Sequence, residues 1–127
     1  MPAIIRVHQA SRVSYLVMTG IVNGDTLVTA QRALTHAADF DPTFGLVLDM
    51  RAADDIQLTP KEMRQVALFS PLDPSARLAI LVRGDGAYGI ARLYEIVRES
   101  QRGTAVVEVC RTVDEAARWL GVKHLDI

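Results

Sequence analysis

Three glycines in the segment RGDGAYG, Gly84, Gly86 and Gly89, form a G-x-G-x-x-G pattern. An apolar run precedes them and a helical pattern follows, which is the setting in which such a loop binds the pyrophosphate of a dinucleotide. An acidic residue, Glu108, follows at a suitable distance, but it lies inside an apolar run instead of at its end. The pattern also follows the fourth predicted strand, and too few residues remain after Gly89 for the second half of a dinucleotide fold.

We therefore predict no cofactor and a structural role for these glycines. Gly84 and Gly86 would permit a tight turn from strand to helix. Asp85 would cap the helix, and Gly89 would let the helix approach the sheet closely.

Three arginines each stand directly after an apolar run that predicts a strand, and a helix start follows each of them. Ligands of open α/β sheets favour the carboxyl ends of the strands, where the free amides of helix starts attract anions. A guanidinium adds paired donors that suit a carboxylate or a phosphate. The sequence therefore predicts a site for an anionic small ligand or a phosphorylated partner. Its residues are Arg51, Arg83, Arg111, Asp85, Thr59 and Thr112.

Ordinary ion pairs are the alternative explanation of the same arginines. Aspartates close in sequence could neutralise all three, and solvated pairs of this kind contribute little to stability. These aspartates are Asp49, Asp54, Asp55, Asp85 and Asp114. The sequence leaves both interpretations open.

Residue types that commonly perform catalysis are present but scattered. Asp54 and Asp55 are adjacent, so their side chains diverge, and they are interpreted as solubilising a loop. The three histidines, at positions 8, 36 and 124, lack the spacing of a metal site. Cys110 ends an apolar strand and is interpreted as a small buried hydrophobe. We therefore expect no metal and no enzymatic activity. An enzyme is the alternative only if Arg51, Arg83 and Arg111 converge with a carboxylate in a deep pocket.

Two helical segments carry more apolar residues than one buried stripe needs. The third predicted helix contributes Ile90, Leu93, Tyr94, Ile96 and Val97, and the end of the second contributes Leu68, Phe69 and Leu72. A deep groove of the domain's own core would explain them, and so would a homodimer interface or an apolar ligand cavity.

Bulk properties restrict the class of protein. The chain has 127 residues, which suits one domain over residues 1–127, and a net charge of −1, which gives no global field for nucleic acid. A single cysteine agrees with a reducing cytoplasm, and no apolar run approaches the ~18 residues of a membrane span. The beginning of the sequence lacks the pattern of a signal peptide.

Strand-like and helix-like patterns alternate along the chain. Strands are predicted over residues 3–8, 12–19, 44–50, 77–82 and 104–109. Helices are predicted after Asn23-Gly24-Asp25, from the capping box at Thr59, after the glycine turn and from a second capping box at Thr112. The order ββαβαβαβα predicts an α/β fold, a mixed sheet of about five strands with four helices. The first two strands would form an antiparallel hairpin, while the order of the strands in the sheet stays open.

Several local patterns resemble a family of small bacterial STAS-like domains, which are similar to anti-sigma-factor antagonists and distantly to CRAL-TRIO lipid-binding domains. The patterns are FDPTFGLVLDMR, LTPKEMR, AYGIARLYE and TVDEAARWLG, and the resemblance covers essentially the whole chain. It implies a compact α/β domain without known enzymatic activity. Related domains bind protein partners, nucleotides or lipids.

The chain departs from the antagonists at one position. Their partner switching depends on a phosphorylatable serine at the start of the helix after the third strand, where this sequence has Thr59 before Pro60. Thr59 is interpreted as a helix cap, worth about 1 kcal/mol. We therefore expect a non-catalytic, cytoplasmic regulatory domain that binds a protein partner or itself as a homodimer. Binding of a lipid or an anionic metabolite at the carboxyl end of the sheet is the alternative.

Overall fold

A computed structural model describes residues 3–101 and 105–127. Its elements are β1 (Ala3–His8), β2 (Val13–Asn23), α1 (Gly24–Thr35), β3 (Gly45–Gln57), α2 (Pro60–Leu68), β4 (Arg77–Leu81), α3 (Asp85–Glu99), β5 (Val106–Cys110) and α4 (Val113–Leu120). This order, ββαβαβαβα, confirms the predicted α/β fold class, with five strands and four helices in the described part of the chain.

The five strands form one sheet in sequential order, from β1 at one edge to β5 at the other. β1 and β2 are antiparallel, as the predicted hairpin requires, and the other three neighbouring pairs are parallel. The mixed sheet is therefore confirmed. Because each crossover steps to the next strand in the same direction, the sheet has no switch point of the kind that forms a ligand crevice in doubly wound folds.

The two faces of the sheet are covered by different elements. Side chains of β4 alternate, so that Leu78 and Ile80 enter the main core while Ala79 and Leu81 enter a smaller cluster on the other face. The main core includes residues of α1, α2 and α3, and the smaller clusters include α4 and the segment that follows it. The Tyr15 hydroxyl helps to hold this last segment, because it accepts a hydrogen bond from the Asp126 amide at 2.9 Å.

Both predicted capping residues, Thr59 and Thr112, cap their helices, but only Thr59 belongs to a complete capping box. Thr59 and Glu62 form a complete capping box at the start of α2, as predicted. Thr112 caps α4 by accepting a hydrogen bond from the Glu115 amide. The Glu115 carboxylate, however, accepts from the Thr112 hydroxyl, at 3.2 Å, so the predicted second box is only half formed.

The start of α3 corrects two predictions about the glycine turn. The N-cap is Gly84, at a φ of +86°, and Asp85 is the first helical residue and caps nothing. A positive φ favours glycine, so Gly84 is the residue that permits the turn. A Cβ at Gly89 would meet no atom within 4 Å, so this glycine does not mediate a close approach to the sheet.

Two strands are longer than the sequence predicts. β2 continues to Asn23 instead of ending at residue 19, and β3 continues to Gln57 instead of residue 50. The predicted fifth strand began at residue 104, which lies outside the described residues. The extra length of β3 decides where the candidate site lies.

Candidate functional site

A two-stranded ribbon projects from the carboxyl end of the sheet. β3 pairs with β4 only as far as Asp49, opposite Leu81, while its pairing with β2 continues to Gln57. Two register shifts interrupt the β2–β3 pairing, after Val17 and after Gly20. Such bulges bend a strand and increase its twist. We call residues 19–23 and 52–57 the ribbon.

A cleft of about 390 Å³ separates the ribbon from the start of α3. We call it the ribbon cleft. One wall comes from β3, with Met50, Arg51, Ala53, Asp54, Asp55 and Ile56, and the opposite wall comes from Arg83, Gly86, Ala87 and Ile90. Its size lies in the range of binding clefts, roughly 300–1,000 Å³. Two of the three predicted arginines, Arg51 and Arg83, line this cleft.

Arg51 is held in place by Asp49. The buried Asp49 carboxylate accepts hydrogen bonds from Arg51 Nε at 3.0 Å and Nη2 at 2.9 Å, and from the Arg51 amide at 3.1 Å. Hydrogen bonding to Asp49 raises the pKa of Arg51 above its ordinary value, against the opposing effect of burial. The bidentate geometry fixes the guanidinium and neutralises its charge.

Arg111 does not line the ribbon cleft. Its Nη1 donates to Asp85 Oδ1 at 2.9 Å, and its guanidinium lies 4.0 Å from the centre of the Tyr88 ring. Both contacts are with α3. The alternative of ion pairs with nearby aspartates therefore describes Arg51 and Arg111, and the predicted convergence of three free arginines is not what the structure has.

Arg83 is the arginine that stays available. Its side chain is exposed, and within residues 3–101 and 105–127 it makes no hydrogen bond or ion pair. It follows β4 by two residues, so it lies at the end of the ribbon cleft nearest the sheet. The cleft thus has one uncompensated positive charge at this end.

The acidic residues lie on the wall that β3 forms, beyond Arg51. Asp54 and Asp55 are exposed on β3, three and four residues beyond Arg51. The Asp55 carboxylate accepts hydrogen bonds from the Ile56 amide and the Gln57 side chain, each at 2.9 Å. These residues belong to a strand and not to the loop that the sequence predicts.

The two predicted threonines are not part of the cleft wall. The Thr59 hydroxyl accepts from the Glu62 amide at 3.2 Å and donates to the Glu62 carboxylate at 3.0 Å. Hydrogen bonds from the Thr59 amide and hydroxyl, and from the Gly24 amide, lower the pKa of Glu62. Thr59 and Thr112 are therefore helix caps by geometry.

The predicted apolar set divides into buried and exposed members. Tyr94 and Leu72 belong to the core, while Ile90 and Val97 are half-buried against it. The others are exposed large apolar side chains, Leu68, Phe69, Leu93 and Ile96. We call these four the exposed apolar set. The guanidinium of Arg32 lies 5.6 Å from the Phe69 ring, so one of the four is partly covered by a cation.

A small apolar cavity lies beside the cleft. It measures about 30 Å³ and shares Met50, Ile56, Ala87 and Ile90 with the cleft wall. That volume holds only about one or two groups of the size of a water molecule. The cavity therefore gives the ribbon cleft an apolar floor without room for an alkyl chain.

Residues that sequence reasoning missed include the buried Arg98 and the ribbon wall. Arg98 is 1% exposed, and it donates to the Tyr94 hydroxyl at 2.9 Å and to the Ala105 carbonyl at 3.2 Å. The i,i+4 spacing of Tyr94 and Arg98 on a helix is the signal that could have paired them. The sequence gives no indication that Ala53 and Ile56 line a site, because their charged neighbours make this part of β3 resemble a loop.

Several classes of site find no support in the described part of the chain. Burial, with the charges of Glu115, Glu108 and Glu95, raises the pKa of Cys110 to about 12, so its thiol is a poor nucleophile. No group of His, Cys, Asp or Glu residues there could hold a metal ion. None of the described helices has the length and hydropathy that a membrane crossing requires.

One solved structure identifies the fold. No protein-family model matches the sequence, and no curated protein matches it. The chain is similar to an uncharacterized protein of the DUF3478 family with a SpoIIAA-like fold, from Shewanella loihica PV-4. The TM-score is 0.58 at 15% identity, over 93% of this chain and 91% of that chain.

The chain has a SpoIIAA-like fold. The STAS-like resemblance is confirmed at this level, because the expected mixed α/β sheet and the structural neighbour agree. At 15% identity, the SpoIIAA-like fold carries no activity, ligand or partner from one protein to the other. Function has to be argued from the ribbon cleft itself.

Proposed function

We propose that the chain is a non-catalytic STAS-like domain that acts in regulation by binding a protein partner at the ribbon cleft. The observation that carries the proposal is the composition of the cleft. It joins a length of β3 that extends beyond β4, an apolar floor and the exposed Arg83 in one concave surface. Such a surface offers shape, apolar contact and one charge, which are the elements of specific recognition.

We propose no enzymatic activity because the residue types that could perform catalysis are engaged in other contacts or buried. Arg51 and Arg111 are bound to carboxylates, Thr59 is engaged in its capping box, and the Cys110 thiol is buried. The Thr59 hydroxyl donates to the Glu62 carboxylate, but the lowered pKa of Glu62 makes this carboxylate a weak base, and the same hydroxyl accepts from the Glu62 amide. The unpaired buried cysteine also agrees with the cytoplasmic setting that we propose.

Site-specific photocrosslinking in the source cells tests partner binding. A benzoylphenylalanine replaces Ala53 in the cleft wall, and the matched control replaces Arg118, which is exposed on α4 at the other face of the sheet. We expect irradiation to give a discrete adduct of protein size from position 53 and none from position 118. Absence of an adduct at position 53, or identical adducts at both positions, would contradict the proposal.

A small anionic metabolite in the same cleft is the second candidate function. The observation that favours it is that Arg51 and Arg83 both line the cleft. Titration with millimolar inorganic phosphate, followed by amide NMR shifts, tests it. Saturable shifts at residues 51 and 83 that disappear in Arg83→Gln would support an anion site, and flat titrations would reject it.

The lipid form of that candidate has less support. An acyl chain needs a continuous apolar cavity, and the cavity beside the cleft has a volume of only about 30 Å³. Native mass spectrometry of the protein purified from its own cells tests this form. A retained acyl ligand would require a cavity that opens beyond the one described.

A further inference from the structure

The length of β3 beyond Asp49 pairs with β2 on one side, and on its other side it continues past the end of β4. β4 ends at Leu81, so no strand in the described part of the chain pairs with this other side of residues 50–57. Two amides within residues 50–57 donate to side-chain carboxylates, Arg51 to Asp49 and Ile56 to Asp55. The unpaired backbone groups of a strand edge can pair with another chain.

The other wall of the cleft makes this edge a groove. Gly86, Ala87 and Ile90 of α3 face it, and the first two have small side chains or none. A space between an unpaired strand edge and a helix is the geometry in which extended peptides add a strand to a sheet. The vacant position continues the line of β4 past Arg83.

We propose that the ribbon cleft binds an extended segment of the partner as an added strand, antiparallel to β3, with its terminal carboxylate at Arg83. This inference rests on the proposed function and specifies the partner: a carboxyl-terminal peptide with alternating apolar residues and a basic residue several positions before its end.

The charges of the cleft set the direction of the added strand. The uncompensated cation Arg83 lies at the end nearest the sheet, and the exposed Asp54 and Asp55 lie three to four residues beyond Arg51. At ~3.3 Å per residue, the two ends are on the order of 10 Å apart. A strand with its carboxylate at Arg83 and a basic side chain opposite the aspartates complements both, and it runs opposite to β3.

The apolar floor of the cleft determines which residues of the bound peptide should be apolar. Side chains of a strand point to opposite faces at successive positions. Every second residue of the peptide would therefore face the apolar floor formed by Met50, Ile56, Ala87 and Ile90. The other residues would face solvent, so backbone pairing supplies affinity and alternate side chains supply selectivity.

A library of random hexapeptides displayed with free carboxyl termini, selected against the full chain, tests the inference. The enriched peptide is then synthesised in three further forms, with an amidated terminus and with N-methyl groups at either set of alternate amides. Binding is followed by fluorescence anisotropy. We expect one N-methylated set to abolish binding and the other to leave it nearly unchanged, because only alternate amides face β3.

The charge at Arg83 gives the matched protein control. We expect Arg83→Gln to weaken the peptide about tenfold, and amidation to weaken it by a similar factor with little further effect in the Arg83→Gln protein. Arg118→Gln, an exposed arginine of α4, should leave the affinity unchanged. Hα–Hα contacts between the peptide and residues 51–55 in NMR spectra would show the antiparallel register directly.

The outcomes separate this inference from the proposed function. No enriched peptide, or a peptide whose affinity ignores both N-methylated sets, overturns strand addition. If photocrosslinking from position 53 still yields a protein adduct, partner binding stands and its mode is different. If neither experiment gives a signal, the proposed function fails as well.

Discussion

At the scale of single residues, the buried pair of Tyr94 and Arg98 should contribute to the stability of the fold. The Tyr94 hydroxyl accepts a hydrogen bond from Arg98, which is almost fully buried. Because a charged donor loses one of its partners in Tyr94→Phe, we expect a loss of about 1–3 kcal/mol in the free energy of unfolding. Urea denaturation measures it. Tyr88→Phe, half-buried on the same helix, is the control and should change stability by no more than about 0.5 kcal/mol.

Glu62 should make the stability of the fold decrease as the pH falls into the acidic range. Its pKa lies below the ordinary value, because the carboxylate accepts hydrogen bonds from the Thr59 amide and hydroxyl and from the Gly24 amide. A lowered folded-state pKa means that the stabilisation is complete above the unfolded pKa, ~4.3, and is lost as pH falls through the folded value. Thermal melts from pH 6 to pH 3 should therefore show a shallower decline for Glu62→Gln. Parallel curves for the two proteins would contradict the assignment.

At the scale of elements, replacing Gly84 or Gly89 by alanine should change the stability of the fold in opposite directions. Gly84 has a φ of +86°, which an alanine adopts only under strain, so Gly84→Ala should destabilise by about 1–2 kcal/mol. Gly89 lies within α3 with no atom within 4 Å of an added Cβ, so Gly89→Ala should stabilise by about 0.5–1 kcal/mol. Chemical denaturation of both variants tests this pair. If both variants changed the stability in the same direction, the turn before α3 would have a different conformation.

The elements also show what sequence patterns can and cannot predict. Element order was predictable, because apolar runs and capping residues such as Thr59 are local signals. The length of β3 was not, since Arg51, Asp54 and Asp55 make a polar run that is typical of a loop, and only pairing with β2 keeps it extended. Local signals place three arginines after strands, but the partners of Arg51 and Arg111 depend on side-chain contacts. The sequence therefore predicted the arginines at the carboxyl end of the sheet, but it did not predict the β3 wall of the ribbon cleft or the partners of Arg51 and Arg111.

At the scale of the whole molecule, two features on the surface of the described residues are candidates for contact with another protein. The ribbon cleft lies at the carboxyl end of the sheet, and the exposed apolar set lies on α3 and at the end of α2. The net charge of −1 and the isoelectric point near 6.3 add little long-range repulsion between copies at neutral pH. Self-association through the exposed apolar set and partner binding at the cleft are thus separable, because they use different residues.

The exposed apolar set should drive any homodimer that the chain forms. Ile96, the member of this set on α3 that is 57% exposed, offers apolar surface to a second copy, so we expect sedimentation velocity to show a mass that rises with concentration toward a dimer at high micromolar protein. Ile96→Lys should abolish this rise, because a charge would be buried in the interface. Ile21→Lys, at a residue of similar exposure on the ribbon, should leave the rise unchanged. A strictly monomeric species at high micromolar concentration would exclude the homodimer and leave the ribbon cleft as the proposed interaction surface.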